Sequence, residues 1–282
     1  MPTIESALTR ITAAATLRAL ALVATGEVLD LGSTYHAEMP FASDTKGFFP
    51  FRLTRNTSAK DAGWDESFAG VSFSNEIVMG STHVGTHFDA FCHVQYEGKI
   101  FGGATAAEAE RDFGWRSMGM ETVKPIVTRG VMLDIAGLHG VDQLADDYEI
   151  PLDDVRQALK RADVTIESGD AVLIRTGKMR DFTDPAAYMR AQPGLGVEAA
   201  IWLFNQGMAV LGADNSGVEP HPIRRWSPLL HVEMLYRRGV HLVEWVELEP
   251  LRAAGVSTFC FVCLPLKLQG STGSWVRPIA ML

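Results

Sequence analysis

His83, His87, Asp89 and His93 fall within the eleven-residue run His83-Val84-Gly85-Thr86-His87-Phe88-Asp89-Ala90-Phe91-Cys92-His93, which holds three of the chain's eight histidines. All four sit at odd positions. On an extended chain successive side chains alternate, so the four would project from one face. A helix would align His83 with His87 but turn Asp89 away. Gly85, Thr86 and Phe88 also favour an extended or turning backbone over a helix. Imidazoles and a carboxylate converging on one face suit a borderline divalent cation: Zn²⁺, or Mn²⁺ if more oxygens join. A polar strand face with solvated histidines is the alternative, and four ligand-type side chains around a Gly-Thr spacer are poor surface filler.

The run resembles the HxGTHxDxxxH signature of the cyclase or kynurenine formamidase-like family of metal-dependent hydrolases, which includes isatin hydrolase and a trans-dienelactone hydrolase. The similarity continues through Arg129–Asp134, Val172–Gly177, Pro193–Leu203, Leu230-His231 with Val243-Glu244, and Pro265–Ala280. It implies a swivelling β/β/α domain with a mixed sheet. It implies His83, His87 and Asp89 as primary metal ligands. In dinuclear members the equivalents of His93, His231 and Glu244 hold a second ion bridged by the Asp89 equivalent; in mononuclear members they form a proton relay. The resemblance thus implies one or two Zn²⁺ or Mn²⁺ ions and catalytic roles for His93, His231 and Glu244. It also implies a homo-oligomer, dimer or tetramer. The chain departs from the family at Phe91, where many members have proline, and at Trp245, where many have asparagine.

The expected reaction is hydrolysis of a small amide, lactam or lactone. A bound ion acidifies its water, for zinc to about pKa 7, and polarises a carbonyl. His93 or His231 would carry the proton to the leaving atom, with Glu244 orienting an imidazole or binding a second ion. A histidine that ligates a metal is not also a free base, so the one-ion and two-ion versions use His93 differently. Lactone specificity and a non-catalytic metal-binding role are the alternatives. Phe41, Phe48, Phe49 and Trp64 are candidates for a substrate pocket, and Arg224, with Arg225, for a substrate carboxylate.

The elements that must position these residues read as an α/β chain. Residues 5–24 carry apolar residues at helical spacing, with Gly26 as a stop. Strands are expected at 27–31, 126–135, 171–175, 208–212, 241–243 and 258–264. Helices are expected at 152–161, 196–205, 229–237 and 248–254. Residues 33–70, with Pro40, Gly47, Pro50 and Gly63, read as a long irregular segment. The domain organisation expected is an N-terminal helical arm over 1–26 and one hydrolase domain over 27–282.

The 282 residues are 47% hydrophobic and 21% charged, a soluble globular balance. A net charge of −9 does not favour nucleic acid or an anionic membrane as a partner. No apolar run reaches the ~18 residues of a membrane span, and three cysteines make no disulfide framework. A cytoplasmic location and a small-molecule substrate are expected.

Other motifs are weaker. His231-Val232-Glu233 followed by Cys260 and Cys263 imitates a nucleobase deaminase, but cysteines three apart on a strand point to opposite faces. Gly194-Leu195-Gly196-Val197-Glu198-Ala199 follows Gln192-Pro193 rather than a strand, so it lacks the setting of a dinucleotide fingerprint. Cys92 lies between the site residues and reads as packed filler.

Overall fold

The structure is a computed structural model that describes residues 5–42, 49–57, 74–223 and 228–282. A nine-stranded mixed sheet organises it. In chain order its strands are β1 (Val28–Asp30), β2 (His87–Asp89), β3 (Ile126–Asp134), β4 (Ala171–Arg175), β5 (Val210–Ala213), β6 (His241–Glu244), β7 (Thr258–Cys263), β8 (Gly273–Trp275) and β9 (Ile279–Met281). Their order across the sheet is β1-β9-β7-β3-β4-β5-β6-β2-β8. β3, β4, β5 and β6 are mutually parallel, and the strands on either side run antiparallel.

The parallel block follows from its sequence. β4 is the apolar run Ala-Val-Leu-Ile ending in Arg175, buried throughout, as a strand covered on both faces must be. Side chains alternate between two cores. Val131, Leu133, Val172, Ile174 and Leu211 face one, beneath the helices Leu152–Ala162 and Val197–Gln206. Met132, Leu173, Val210 and Val243 face the other, with Phe88, Phe259 and Phe261. Those two helices are the crossovers that parallel strands require. Arg175 is wholly buried at the end of β4, where Asp134 and Glu249 each approach it to 2.6 Å and offset its charge.

The strands expected near 126, 171, 208, 241 and 258 are present, with ends shifted by one or two residues. Three expectations are revised. Residues 5–24 are not one helix: Ser6 starts a 3-10 turn at Ala7–Arg10, and Thr12 then caps a helix at Ala13–Leu20. This segment lies on the sheet, with Thr16 Oγ1 donating to Val127 O (2.8 Å) and Arg10 Nη1 to Met208 O (2.7 Å). Within 33–70, Arg52–Thr57 pairs with Asn75–Met79 as an exposed ribbon that lacks the one-sided apolar alternation by which strands are recognised. The helix expected at 229–237 narrows to a π-helical turn, Val232–Tyr236, directly after His231. No helix among the described residues is long and apolar enough to cross a membrane.

Gly130 pairs with Phe259 across β3 and β7, and a Cβ there would lie 2.3 Å from the Phe259 ring. Gly130→Ala should therefore cost about 1–3 kcal/mol by overpacking. Thermal denaturation should show a lower Tm, partly restored by adding Phe259→Leu. An unchanged Tm would mean that the ring has room to swing aside.

Candidate metal centre

The site forms at the carboxyl ends of β5 and β6, where open α/β sheets place their ligands. Its first determinant is register. β2 runs antiparallel to β6 with His87 opposite Glu244, so the two side chains share a face. On the other side β2 pairs with β8, which sets Asp89 opposite Gly273. A Cβ on Gly273 would lie 2.6 Å from the His83 ring, so this glycine makes room for the imidazole.

The expected single extended run is shorter than its four ligand positions suggest. Only His87–Asp89 is strand. His83 precedes a turn in which Gly85 takes φ +62°, and His93 ends a 3-10 turn, Phe91–His93. Strand, glycine turn and 3-10 turn together still bring all four residues to one place. The His83 and His93 rings stack 4.0 Å apart, and His83 Nδ1 lies 2.9 Å from Asp89 Oδ1. His87 Nε2 is 3.5 Å from Asp89 Oδ1 and 3.3 Å from Glu244 Oε2. His231 Nε2 is 3.2 Å from Glu244 Oε1 and 3.8 Å from Asp89 Oδ2. The four residues singled out by type and spacing thus converge with His231 and Glu244, which the resemblance implied.

Two compact groups stand out, with ligand atoms all within 4.8 Å of one another: His83, Asp89 and His93, and His87, Asp89 and Glu244. The resemblance implied His83, His87 and Asp89 around one ion. Here Asp89 is common to both groups, and His83 Nδ1 and His87 Nε2 both approach its Oδ1, with the two rings 5.2 Å apart.

The donor set fits a divalent cation. Asp89 is fully buried, and among the described residues neither carboxylate oxygen has a hydrogen-bond partner. A bare buried carboxylate is costly unless a cation neutralises it. His87 Nδ1 sits 2.8 Å from Gly85 O, so its proton belongs there and Nε2 turns a lone pair toward Asp89 and Glu244. Lone pair against carboxylates is repulsive until a proton or a metal ion lies between them. The charges follow. Burial, then neighbouring imidazoles, pushes the pKa values of His83 and His93 down to about 3, leaving both neutral and able to ligate. Burial also opposes a charge on His87, but Glu244 and Asp89 outweigh it and raise its pKa. Burial raises Asp89, while the histidines hold Glu244 well below the usual carboxylate range against the effect of burial.

Two contributors have no signal in the sequence run. Glu219, buried after β5, receives His231 Nδ1 on Oε1 at 2.6 Å and the Leu230 N–H on Oε2 at 2.7 Å. It therefore fixes the ring and tautomer of His231 and raises its pKa together with Glu244, against burial. His241, stacked on Phe91 at 3.8 Å, bonds the Asp89 carbonyl through Nδ1 at 2.7 Å, and burial lowers its pKa to about 4. Phe91 is thus the platform for a residue that pins the Asp89 backbone. Cys92 is buried in the core cluster, and burial pushes its thiol up to about 12.

Of the pocket candidates, Phe41 is half-buried against the cluster of Met39, Phe51, Val84, Met179, Phe182, Tyr188 and Trp245, whereas Phe49 is 65% exposed. Phe48, Trp64, Arg224 and Arg225 lie outside the described residues.

A mixed sheet with a buried histidine–carboxylate cluster at the ends of its parallel strands defines an α/β protein with side chains grouped so that they could hold a metal ion. The family model described as "Putative cyclase" matches residues 29–220, and the chain belongs to this cyclase family. Kynurenine formamidase of Bacillus thuringiensis (strain Al Hakam) is 23% identical over 222 residues, 78% of this chain and 85% of the relative. Among solved structures, a novel cyclase superposes with a TM-score of 0.88 at 25% identity, covering 98% of this chain and 94% of its own. Isatin hydrolase A from Ralstonia solanacearum gives 0.69 at 22%, covering 90% and 91%. A potential metal-dependent hydrolase with cyclase activity gives 0.60 at 20%, covering 90% and 96%.

Three outcomes follow from this geometry. An ion that takes His87 as a ligand must displace its proton, so metal affinity should rise with pH and fall as the solution is acidified. Calorimetric titration of Zn²⁺ in buffers of different ionisation enthalpy should show proton release; identical heats would contradict it. Glu219→Gln should lower activity or metal affinity by about 10–100-fold, the usual loss when the partner of such a histidine is changed. Gly273→Ala should displace His83 and reduce bound metal in elemental analysis; full metal content would show that the ring has slack.

Proposed function

We propose that this chain is a metal-dependent hydrolase that cleaves the C–N bond of a small amide or lactam carrying an aromatic ring. The observation that carries this reading is Asp89, a buried carboxylate with no hydrogen-bond partner among the described residues, set among four imidazoles. Zn²⁺ or Mn²⁺ bound by Asp89 with His83, His87, His93 and Glu244 would supply a Lewis acid and an acidified water.

The protein's own groups account for the rest. His83 and His93 stay neutral and bind. Thr272 Oγ1, 2.8 Å from His83 Nε2, orients that ring. His231 is held by Glu219 on one side and reaches Glu244 on the other, so it is placed to deliver a proton to a leaving nitrogen. Glu244 faces both His87 and His231 and couples binding to proton movement. Tyr35, Phe41, Phe182, Tyr188 and Trp245 form an aromatic core cluster that reaches the site through Trp245, the residue after Glu244. The names of the similar proteins, kynurenine formamidase and isatin hydrolase, support an amide substrate of this kind.

The test is hydrolysis of an N-formyl arylamine, an isatin-type lactam and an aryl lactone by protein reconstituted with Zn²⁺ or Mn²⁺. The amides should turn over. Asp89→Asn should lose bound metal and more than about 100-fold in kcat/KM, beyond the loss for a residue that only orients a ligand. Turnover of the lactone alone would replace the amide reading with a lactonase. Metal content and activity retained in Asp89→Asn would overturn the proposal.

A further inference from the structure

A cavity of about 430 Å³, a size that holds small molecules, is lined by Glu219 but by none of the six residues of the metal centre. Three segments frame it. The short parallel pair of Glu149–Ile150 with Gly194–Leu195 supplies Glu149 and Leu195. The start of the helix Val197–Gln206 supplies Val197, Glu198 and Ile201. Val197 and Ile201 are four apart and share one helix face. The chain after β5 supplies Glu219. Leu195 and Glu219 are buried and form the floor, whereas Glu149 and Glu198 are exposed and stand at the mouth.

The run Gly194-Leu195-Gly196-Val197-Glu198-Ala199, which imitates a dinucleotide fingerprint, is thus one wall of a cavity, but a phosphate does not suit it. Helix N-termini attract anions. Here Glu198 occupies the first turn, and Glu149 Oε1 lies 3.4 Å from where a Cβ on the N-cap Gly196 would stand. Among the described residues, neither Glu149 nor Glu198 has an ion-pair partner. Two carboxylates at one mouth repel an anion and attract a cation. Glu219 is already engaged by His231 Nδ1 and the Leu230 N–H, so the floor does not call for a further charge. Leu195, Val197 and Ile201 between floor and mouth suit an apolar body.

We propose that this cavity binds a small organic ammonium compound, its apolar body against Leu195, Val197 and Ile201 and its cationic head between Glu149 and Glu198. The proposal does not use the hydrolase reading and stands whether or not the metal centre is loaded. Exposed ion pairs contribute little by themselves. Affinity therefore comes from burial of the apolar body, and the two carboxylates set the preference for positive charge. The floor of the cavity is the carboxylate that orients His231, so the occupant neighbours the metal centre without entering it.

The probes are 2-phenylethylammonium, its neutral isostere 2-phenylethanol and the anion 3-phenylpropionate, titrated calorimetrically into the full chain with and without Zn²⁺. The ammonium compound should bind one to one, with the same affinity in both preparations. The alcohol should bind about fivefold more weakly, the worth of two exposed charge pairs, and the anion should not bind. Glu149→Gln with Glu198→Gln should reduce the affinity for the ammonium compound about fivefold and leave that for the alcohol unchanged. Ile201→Trp, which puts an indole into the cavity, should remove binding of both. If Ile201→Trp does not fold, the double glutamine variant, which alters only exposed side chains, decides. No binding by wild type, equal affinity for the three probes, or binding unchanged in the variants overturns the proposal. So does binding that requires Zn²⁺, which would place the compound at the metal centre.

Discussion

The Asp89 carboxylate is the constraint on which the rest of the site depends. A fully buried anion that has no hydrogen-bond partner among the described residues is tolerable only where positive charge is brought to it. Everything around it answers that demand. Imidazoles approach from four directions, and Glu244 balances two of them. Its main chain is held too: the strand pairs on both sides, and His241 bonds its carbonyl from below. The carboxylate therefore has little freedom to turn toward water.

Precision of that kind comes from the sheet. β6 is parallel to β5 and antiparallel to β2, so the carboxyl end of β6 meets the first residue of β2, and register alone sets Glu244 opposite His87. A one-residue slip of β2 would turn His87 to the face opposite Glu244. The surrounding groups add tautomer and orientation: Gly85 O for His87, Thr272 for His83, Glu219 for His231. Ligand geometry is thus fixed by backbone pairing first and by hydrogen bonds second, the order that gives a rigid site.

Much of this was legible in the sequence, for identifiable reasons. The ligands of one short run announce themselves by type and spacing, and apolar runs such as Ala171–Ile174 mark the parallel core. The strand is shorter than the run from His83 to His93 suggests, because periodicity does not show that Gly85 takes a left-handed turn or that Phe91 starts a 3-10 turn. Glu219 was invisible because its role comes from a contact between the loop after β5 and the helical turn at His231; as a lone acid in Val-Glu-Pro it looks like surface. His241 looked like the start of an ordinary strand, and only the pairing of β6 with β2 places it under Asp89. The Arg52–Thr57 ribbon was missed because both its strands are exposed and carry no core-facing pattern.

The bond between His83 and Thr272 joins residues 189 apart in sequence. A chain in which this loop is open has neither the ring orientation nor the space beside Gly273 that the centre needs. A metal bound as proposed would then be a ligand of the closed chain alone, and free-ion concentration would become a term in its stability: about 2.7 kcal/mol when the ion is present at 100 times its dissociation constant. On the proposed reading, supply of the ion would govern how much of the protein survives in the folded state as well as how much is active, and a weakened core would show itself first as a greater need for metal.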